Sequence, residues 1–290
     1  MIDNPPPWPG GKRCAVAFSF DVDADSTVHV SSGHRLDKEL AALAYMRYDP
    51  LVALPRLTRL FGDHQIPVSY FVPGWVIENY PEVVEHIMAH DNEIAHHGYI
   101  HEWPNQLSLD EERELIERAS DIIERASGRR PCGYRAPFYA VSEQTVNLLI
   151  DAGFAYESSL FADDVPLLLD NGHGDLVEIP IPDAVDDYNQ YVSARALNYL
   201  MTISSPERAI AVFRAEFDAM WEYGGLWVGV WHPAVSGRIS RVMGIRNLIE
   251  HMQSKGDVWF ATHEQVANHV RGLIASGRWT PRVDQLPLYP

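Results

Sequence analysis

The feature that most constrains this chain is an alternation. Short apolar runs, each of strand length, are followed by segments whose apolar residues recur at helical spacing. The clearest run is Leu226 to Trp231, which carries no polar side chain and reads as a strand buried on both faces. Cys14 to Phe20, Val68 to Val72, Asn92 to His97, Leu176 to Ile181 and Val258 to Ala261 read as further strands, and Gly133 to Arg135 as the end of another. Between them the spacing predicts helices over Asp49 to Gln65, Pro81 to His90, Ser108 to about Ala126, Glu143 to Ala152 and Ser205 to about Tyr223. A final helix opens at Thr262. Ser108-Leu-Asp-Glu and Thr262-His-Glu-Gln have the form of capping boxes, and Ser205-Pro206-Glu207 pairs a cap with a first-turn proline. Strands alternating with helices predict an α/β fold with a parallel sheet, and about seven strands favour a closed (β/α)7 barrel over an open sheet. One domain spanning 1–290 is expected, with a barrel core over about 14–275. Segments 24–48 and 160–195 are expected as long loops over one mouth. The proline-rich ends, 1–9 and 281–290, are expected as arms on the surface or on a neighbouring subunit of a dimer or tetramer.

Composition excludes several classes. The longest apolar run falls far short of the ~20 residues of a membrane span. A formal charge of −17 repels phosphate backbones, which argues against a nucleic-acid partner. The N-terminus shows no basic segment followed by an apolar one, and there are two cysteines, Cys14 and Cys132, expected as reduced core thiols. These features predict a soluble cytoplasmic protein with no membrane partner.

The chemistry-bearing residues fall just after predicted strands, so a parallel barrel would gather them at the carboxyl ends of its strands. Asp21, Asp23 and Asp25 follow the first strand. His97 and His101 form an H-x3-H pair, Arg135 precedes a stiff Ala-Pro, and His232 closes the most apolar strand. If the chain turns helically after its strand, the two histidine rings stand about one turn apart and can share an ion. His96 competes with His97 as first ligand; strand alternation puts Ile94 and His96 toward the helix layer and His97 with Ala95 toward the barrel. Asp21 and Asp23 lie on one side of an extended chain, so one can ligate while the other takes a proton from water. Asp25 would be a spare acid or a hydrogen-bonding prop. Arg135 can hold Asp21 bidentately, and His232 suits a general acid for a leaving nitrogen.

Taken in order, these residues resemble the polysaccharide deacetylase (NodB-like, carbohydrate esterase family 4) superfamily. Ser19-Phe20-Asp21-Val22-Asp23 is similar to its Thr-Phe-Asp-Asp motif, His97 to His101 to its H-x3-H motif, Arg135-Ala136-Pro137 to its Arg-x-Pro motif, and Val230-Trp231-His232 to its Leu-x-His motif. The resemblance implies a distorted parallel barrel, with Asp21 as general base, Arg135 as its orienting partner, His232 as general acid, and Asp23, His97 and His101 as ligands of one divalent transition metal, zinc foremost. The residue inserted between the acids is similar to an intracellular branch that includes peptidoglycan-deacetylase-like proteins and cyclic imide hydrolases. Trp8-Pro9-Gly10-Gly11 is similar to the start of metal-free allantoinases, and His101-Glu102-Trp103 and Ser158-Ser159-Leu160 also resemble this branch.

The expected activity is hydrolysis of a non-peptide amide bond in a small amide or cyclic imide. The alternatives are N-deacetylation of acetylated sugars or peptidoglycan, an allantoinase-like metal-free hydrolase, and an inactive binding protein. Glu102, Trp103, Tyr139, Asp164 and Trp231 are the expected substrate contacts, and Asp163 or Asp164 would contact substrate or tune His232.

Overall fold

The computed structural model describes residues 1–194, 199–200 and 202–289. Its strands are β1 (Cys14–Asp21), β2 (Val68–Val72), β3 (Glu93–His96), β4 (Gly133–Tyr134), β5 (Tyr156–Glu157), β6 (Leu167–Asp170), β7 (Asp175–Glu178), β8 (Ser193–Ala194), β9 (Tyr199–Leu200), β10 (Leu226–Trp231), β11 (Val258–Phe260) and β12 (Val283–Gln285). The main sheet runs β10-β1-β2-β3-β4-β5-β7-β6-β12, with β11 paired to the early part of β1. From β10 to β7 every pairing is parallel, and a parallel bridge between Asp186 and Val230 spans the seam between the last barrel strand and β10.

Period-two alternation sorts the strand residues between two layers. Ala15, Ala17, Phe71, Ala95, Val228 and Val230 fill the barrel interior. Val16, Phe18, Phe20, Tyr70, Val72, Trp227 and Trp231 face outward and pack on the surrounding helices through Leu57, Phe61, Phe213 and Leu248. The helices start where the caps predict. Ser108 and Thr262 close capping boxes on Leu109–Ser127 and His263–Ala275, and Ser205 caps Pro206–Tyr223.

Two expectations, the long loops over 24–48 and 160–195, fail. Segment 24–48 is largely helical, with helices Ser26–Ser32 and Leu40–Tyr48. They bury little more than Val28, Ala42 and Met46, against Ala234, so their apolar periodicity is too sparse to read. The expected helix over Asp49 to Gln65 is present, opening as a π turn, Asp49–Ala53, and continuing as the α-helix Leu54–Asp63. Segment 160–195 holds the antiparallel hairpin of β6 and β7, turned by Asn171, whose side chain accepts from the His173 and Gly174 amides. The C-terminal arm lies on the protein's own surface, where β12 adds in parallel to β6. The N-terminal arm is tied down through the Trp8 indole on the Gly224 carbonyl and through Asn4, which contacts Thr280 and Trp279.

Candidate active site

The carboxyl ends of the barrel strands open into a cavity of about 880 Å³. Asp21, the last residue of β1, and Asp23, two residues on, both enter it, with His97, His101 and His232. Asp25 does not line it: its carboxylate accepts from the Tyr80 hydroxyl at 2.8 Å, so it is a prop.

His97 and His101 come together without a helical turn. The chain bends after β3, with Gly98 at φ 71° and His101 at φ 63°. A Cβ on Gly98 would meet the Glu102 carboxylate at 2.8 Å, so glycine is needed for space as well as for φ. Glu102 faces the bend rather than the cavity; its carboxylate accepts from the Tyr99 and Ile100 amides and fixes the spacing of the two histidines. His96 points the other way, its Nε2 against the Ile116 carbonyl in the helix layer, and burial pushes its pKa down to about 3.

His97 Nδ1 lies 2.8 Å from the Arg135 carbonyl, which leaves Nε2 as the atom facing the cavity. That Nε2 is 3.4 Å from Asp23 Oδ1, and His101 Nε2 is 3.5 Å from the same oxygen. Asp23 Oδ1 and His97 Nε2 are buried with no hydrogen-bond partner. Buried polar atoms are rarely left so, and two imidazoles with one carboxylate suit a first-row divalent ion, so the donor set fits a metal. Burial alone would raise the Asp23 pKa, yet His101, His97 and His232 together hold it well below the usual carboxylate range. Burial lowers His101 to about 4, keeping it neutral as a ligand must be.

Asp21 is held from behind. The fully buried Arg135 donates to Asp21 Oδ1 at 2.7 Å and to Ser19 Oγ at 2.8 Å, while its Nε donates to the Ser158 carbonyl and its Nη2 to Ser158 Oγ. Only Nη1 reaches Asp21, so the pair is single-pronged, the other donors being spent on the serines and on the His263 ring, 3.4 Å from Nη2.

Across the cavity, His232 Nε2 faces Asp21 Oδ2 at 4.0 Å and Asp23 Oδ2 at 3.9 Å. Behind it, Asp187 lies 2.8 Å from Nδ1 and accepts from the His232 amide and Ser236 Oγ. Burial works against charging His232, but Asp187 outweighs it and the pKa rises to about 10. Asp187 is a functional residue that the sequence reading missed; it sits in the acid-rich 160–195 segment, where no local pattern marks one aspartate over another. Its neighbour Asp186 lines the cavity, accepts from the Tyr139 hydroxyl at 2.6 Å, and is raised by burial to about 6.

The expected substrate contacts divide. Trp103 and Tyr139 line the cavity, joined by Phe138, which stacks on Trp103 with centroids 3.9 Å apart. Trp231 does not: it alternates outward into the helix layer, its indole donating to the Val185 carbonyl. Asp164 gives its carbonyl to Leu226, at the end of β10 away from His232, and Asp163 pairs with Arg282, so neither tunes His232.

The model of the polysaccharide deacetylase family matches residues 44–156. A protein of Mycobacterium smegmatis assigned as a polysaccharide deacetylase is 38% identical, covers 97% of each chain and superposes with a TM-score of 0.90. This chain belongs to the polysaccharide deacetylase family. It is 27% identical to the peptidoglycan deacetylase of Helicobacter pylori, over 89% of this chain and 96% of that one. An allantoinase of 21% identity shares the fold, with a TM-score of 0.82. Membership makes the protein a hydrolase of non-peptide carbon–nitrogen bonds on a (β/α)7 barrel. Among the described residues no helix is long and apolar enough to cross a membrane.

Proposed function

We propose that the chain hydrolyses the C–N bond of a compact amide, a cyclic imide foremost, with one zinc ion held by Asp23, His97 and His101. The observation that carries the substrate size is the cavity. At about 880 Å³ it is in the range that encloses a small molecule, and the helix Ser26–Ser32 forms part of its wall. An ion held there would polarise the scissile carbonyl and acidify the attacking water.

The protein's own groups divide the proton work. Asp21 takes the proton from water as its oxygen bonds to the carbonyl carbon, and Arg135 keeps that carboxylate aimed. His232, charged at neutral pH through Asp187, gives its proton to the nitrogen as the C–N bond breaks. One water is consumed; a carboxyl group and an amine or amide nitrogen result.

A second reading is N-deacetylation of a sugar, favoured by likeness to the Helicobacter pylori peptidoglycan deacetylase along nearly its whole length. Turnover of succinimide and dihydrouracil beside N-acetylated chitin oligomers separates the two. Opening of the imide supports the proposal, and acetate release from the oligomers alone replaces it. Asp21→Asn should slow the reaction by ~10²–10⁴ with the metal retained; undiminished turnover would refute the base assignment.

A further inference from the structure

The cavity mouth carries an apolar surface that the hydrolytic machinery does not use. Trp103, Phe138 and Phe161 are 40%, 38% and 57% exposed; among the described residues, all the tryptophans and phenylalanines this exposed line the one cavity. Trp103 and Phe138 are stacked within 6° of parallel, and Phe138 meets the His101 ring edge-on at 4.4 Å. Phe138 and Tyr139 are consecutive non-glycine residues at φ 57° and 55°, a conformation that persists where the surroundings enforce it and that clusters at ligand sites. On another wall, Thr27 of the helix Ser26–Ser32 lines the same cavity, and its Oγ1 is buried with no hydrogen-bond partner. A buried hydroxyl without a partner points to a ligand that supplies one.

The geometry points to a substrate subsite formed by the Trp103–Phe138 stack and the Thr27 hydroxyl, which takes a cyclic imide that carries a flat aryl substituent and a second polar atom beyond the scissile amide. The aryl ring lies on the aromatic stack, and Thr27 meets the imide carbonyl or N–H that is not attacked. A sugar face also stacks on aromatics, and its hydroxyl rim asks for several polar partners. Asp186 is engaged by the Tyr139 hydroxyl and the Tyr188 amide, and Arg35 by Glu39 at 2.9 Å, whereas Ser31, Ser32 and Asn189 also line the cavity, so a sugar is set against the imides in the test. This assignment rests on the amide-hydrolase reading above, and binding tests it apart from turnover.

Titration calorimetry on the protein as purified, carrying Asp21→Asn to hold turnover down, would compare 3-phenylsuccinimide, succinimide and N,N′-diacetylchitobiose. Phenylsuccinimide should bind about tenfold tighter than succinimide, an advantage that Trp103→Ala erases. Thr27→Val should weaken both imides and Thr27→Ser should not, which sets the hydroxyl apart from general damage to the helix. Tighter binding of diacetylchitobiose than of either imide, no binding of any of the three, or affinities unmoved by Trp103→Ala and Thr27→Val would overturn the subsite. Wild-type protein that shows the predicted binding pattern yet opens no imide would refute hydrolysis and leave the subsite standing.

Discussion

Replacing Arg135 by methionine tests whether the buried guanidinium is held chiefly for Asp21. Methionine fills much of the volume and keeps apolar contact with the Phe71 ring, over which the guanidinium carbon sits at 3.9 Å. What is lost is polar: the ion pair with Asp21, the bond to Ser19 Oγ and the two contacts on Ser158. Both partners of the pair are almost wholly buried, so removing one leaves the Asp21 carboxylate with only His232, whose Nε2 lies 4.0 Å away across the cavity, to balance its charge. Breaking a buried pair in this way costs at most about 3–5 kcal/mol, or a drop in Tm of roughly 5–8 °C for a chain of 290 residues. Most of that loss belongs to the buried charge left behind. Adding Asp21→Asn to Arg135→Met should therefore restore about 1–3 kcal/mol. Urea denaturation of the wild type, both single variants and the double variant, in chelator so that metal affinity does not contribute, measures the cycle. A double variant no more stable than Arg135→Met would refute the reasoning and place the arginine's worth in its bonds to Ser158.

Other perturbations follow from the same geometry. Elemental analysis should find about one transition-metal ion per chain, absent after His97→Ala with His101→Ala; equal metal in both proteins would remove the ligand assignment. In Asp187→Asn the His232 pKa should fall from about 10 toward 6.5, drawing the basic limb of the pH–rate profile downward. The sign for stability is fixed: an imidazole raised in the fold stabilises fully below its unfolded value of 6.5, and that contribution is lost as pH climbs to about 10. Wild-type stability should decline over that window and Asp187→Asn should flatten the decline, as pH-dependent denaturation would show. Glu178 and Glu157 are paired neighbours on β7 and β5, both fully buried; burial, then the Glu157 charge, hold the Glu178 carboxyl protonated well above its ordinary 4.5. Its contribution is complete below pH 4.5 and is lost as pH rises, so Glu178→Gln should be less sensitive to alkali than the wild type in thermal melts.

What the sequence determined by itself was whatever local chemistry controls. Leu226 to Trp231 can only be a strand buried on both sides, and Ser108 and Thr262 begin helices because their side chains satisfy free amides within one turn. Alternation along β3 likewise separates His96 from His97, because successive side chains on a strand face opposite layers. The same rule, carried along β10, sends Trp231 outward while Leu226, Val228 and Val230 face in, an inference open to the sequence once the inward face is known.

Tertiary structure alone decided the rest, because those roles depend on contacts between distant segments. Asp187 reaches His232 across 45 positions of the chain, whereas Asp163 and Asp164, equally acidic and in the same segment, are drawn to Arg282 and to the start of β10. Nothing local tells these aspartates apart; only where each lands when the seam closes does. Thr27 and Phe138 acquire meaning in the same way, one by an unpartnered hydroxyl and the other by a left-handed backbone that lays its ring over His101. Residue type and local spacing name the groups able to do chemistry, and the closing of the barrel selects which of them meet.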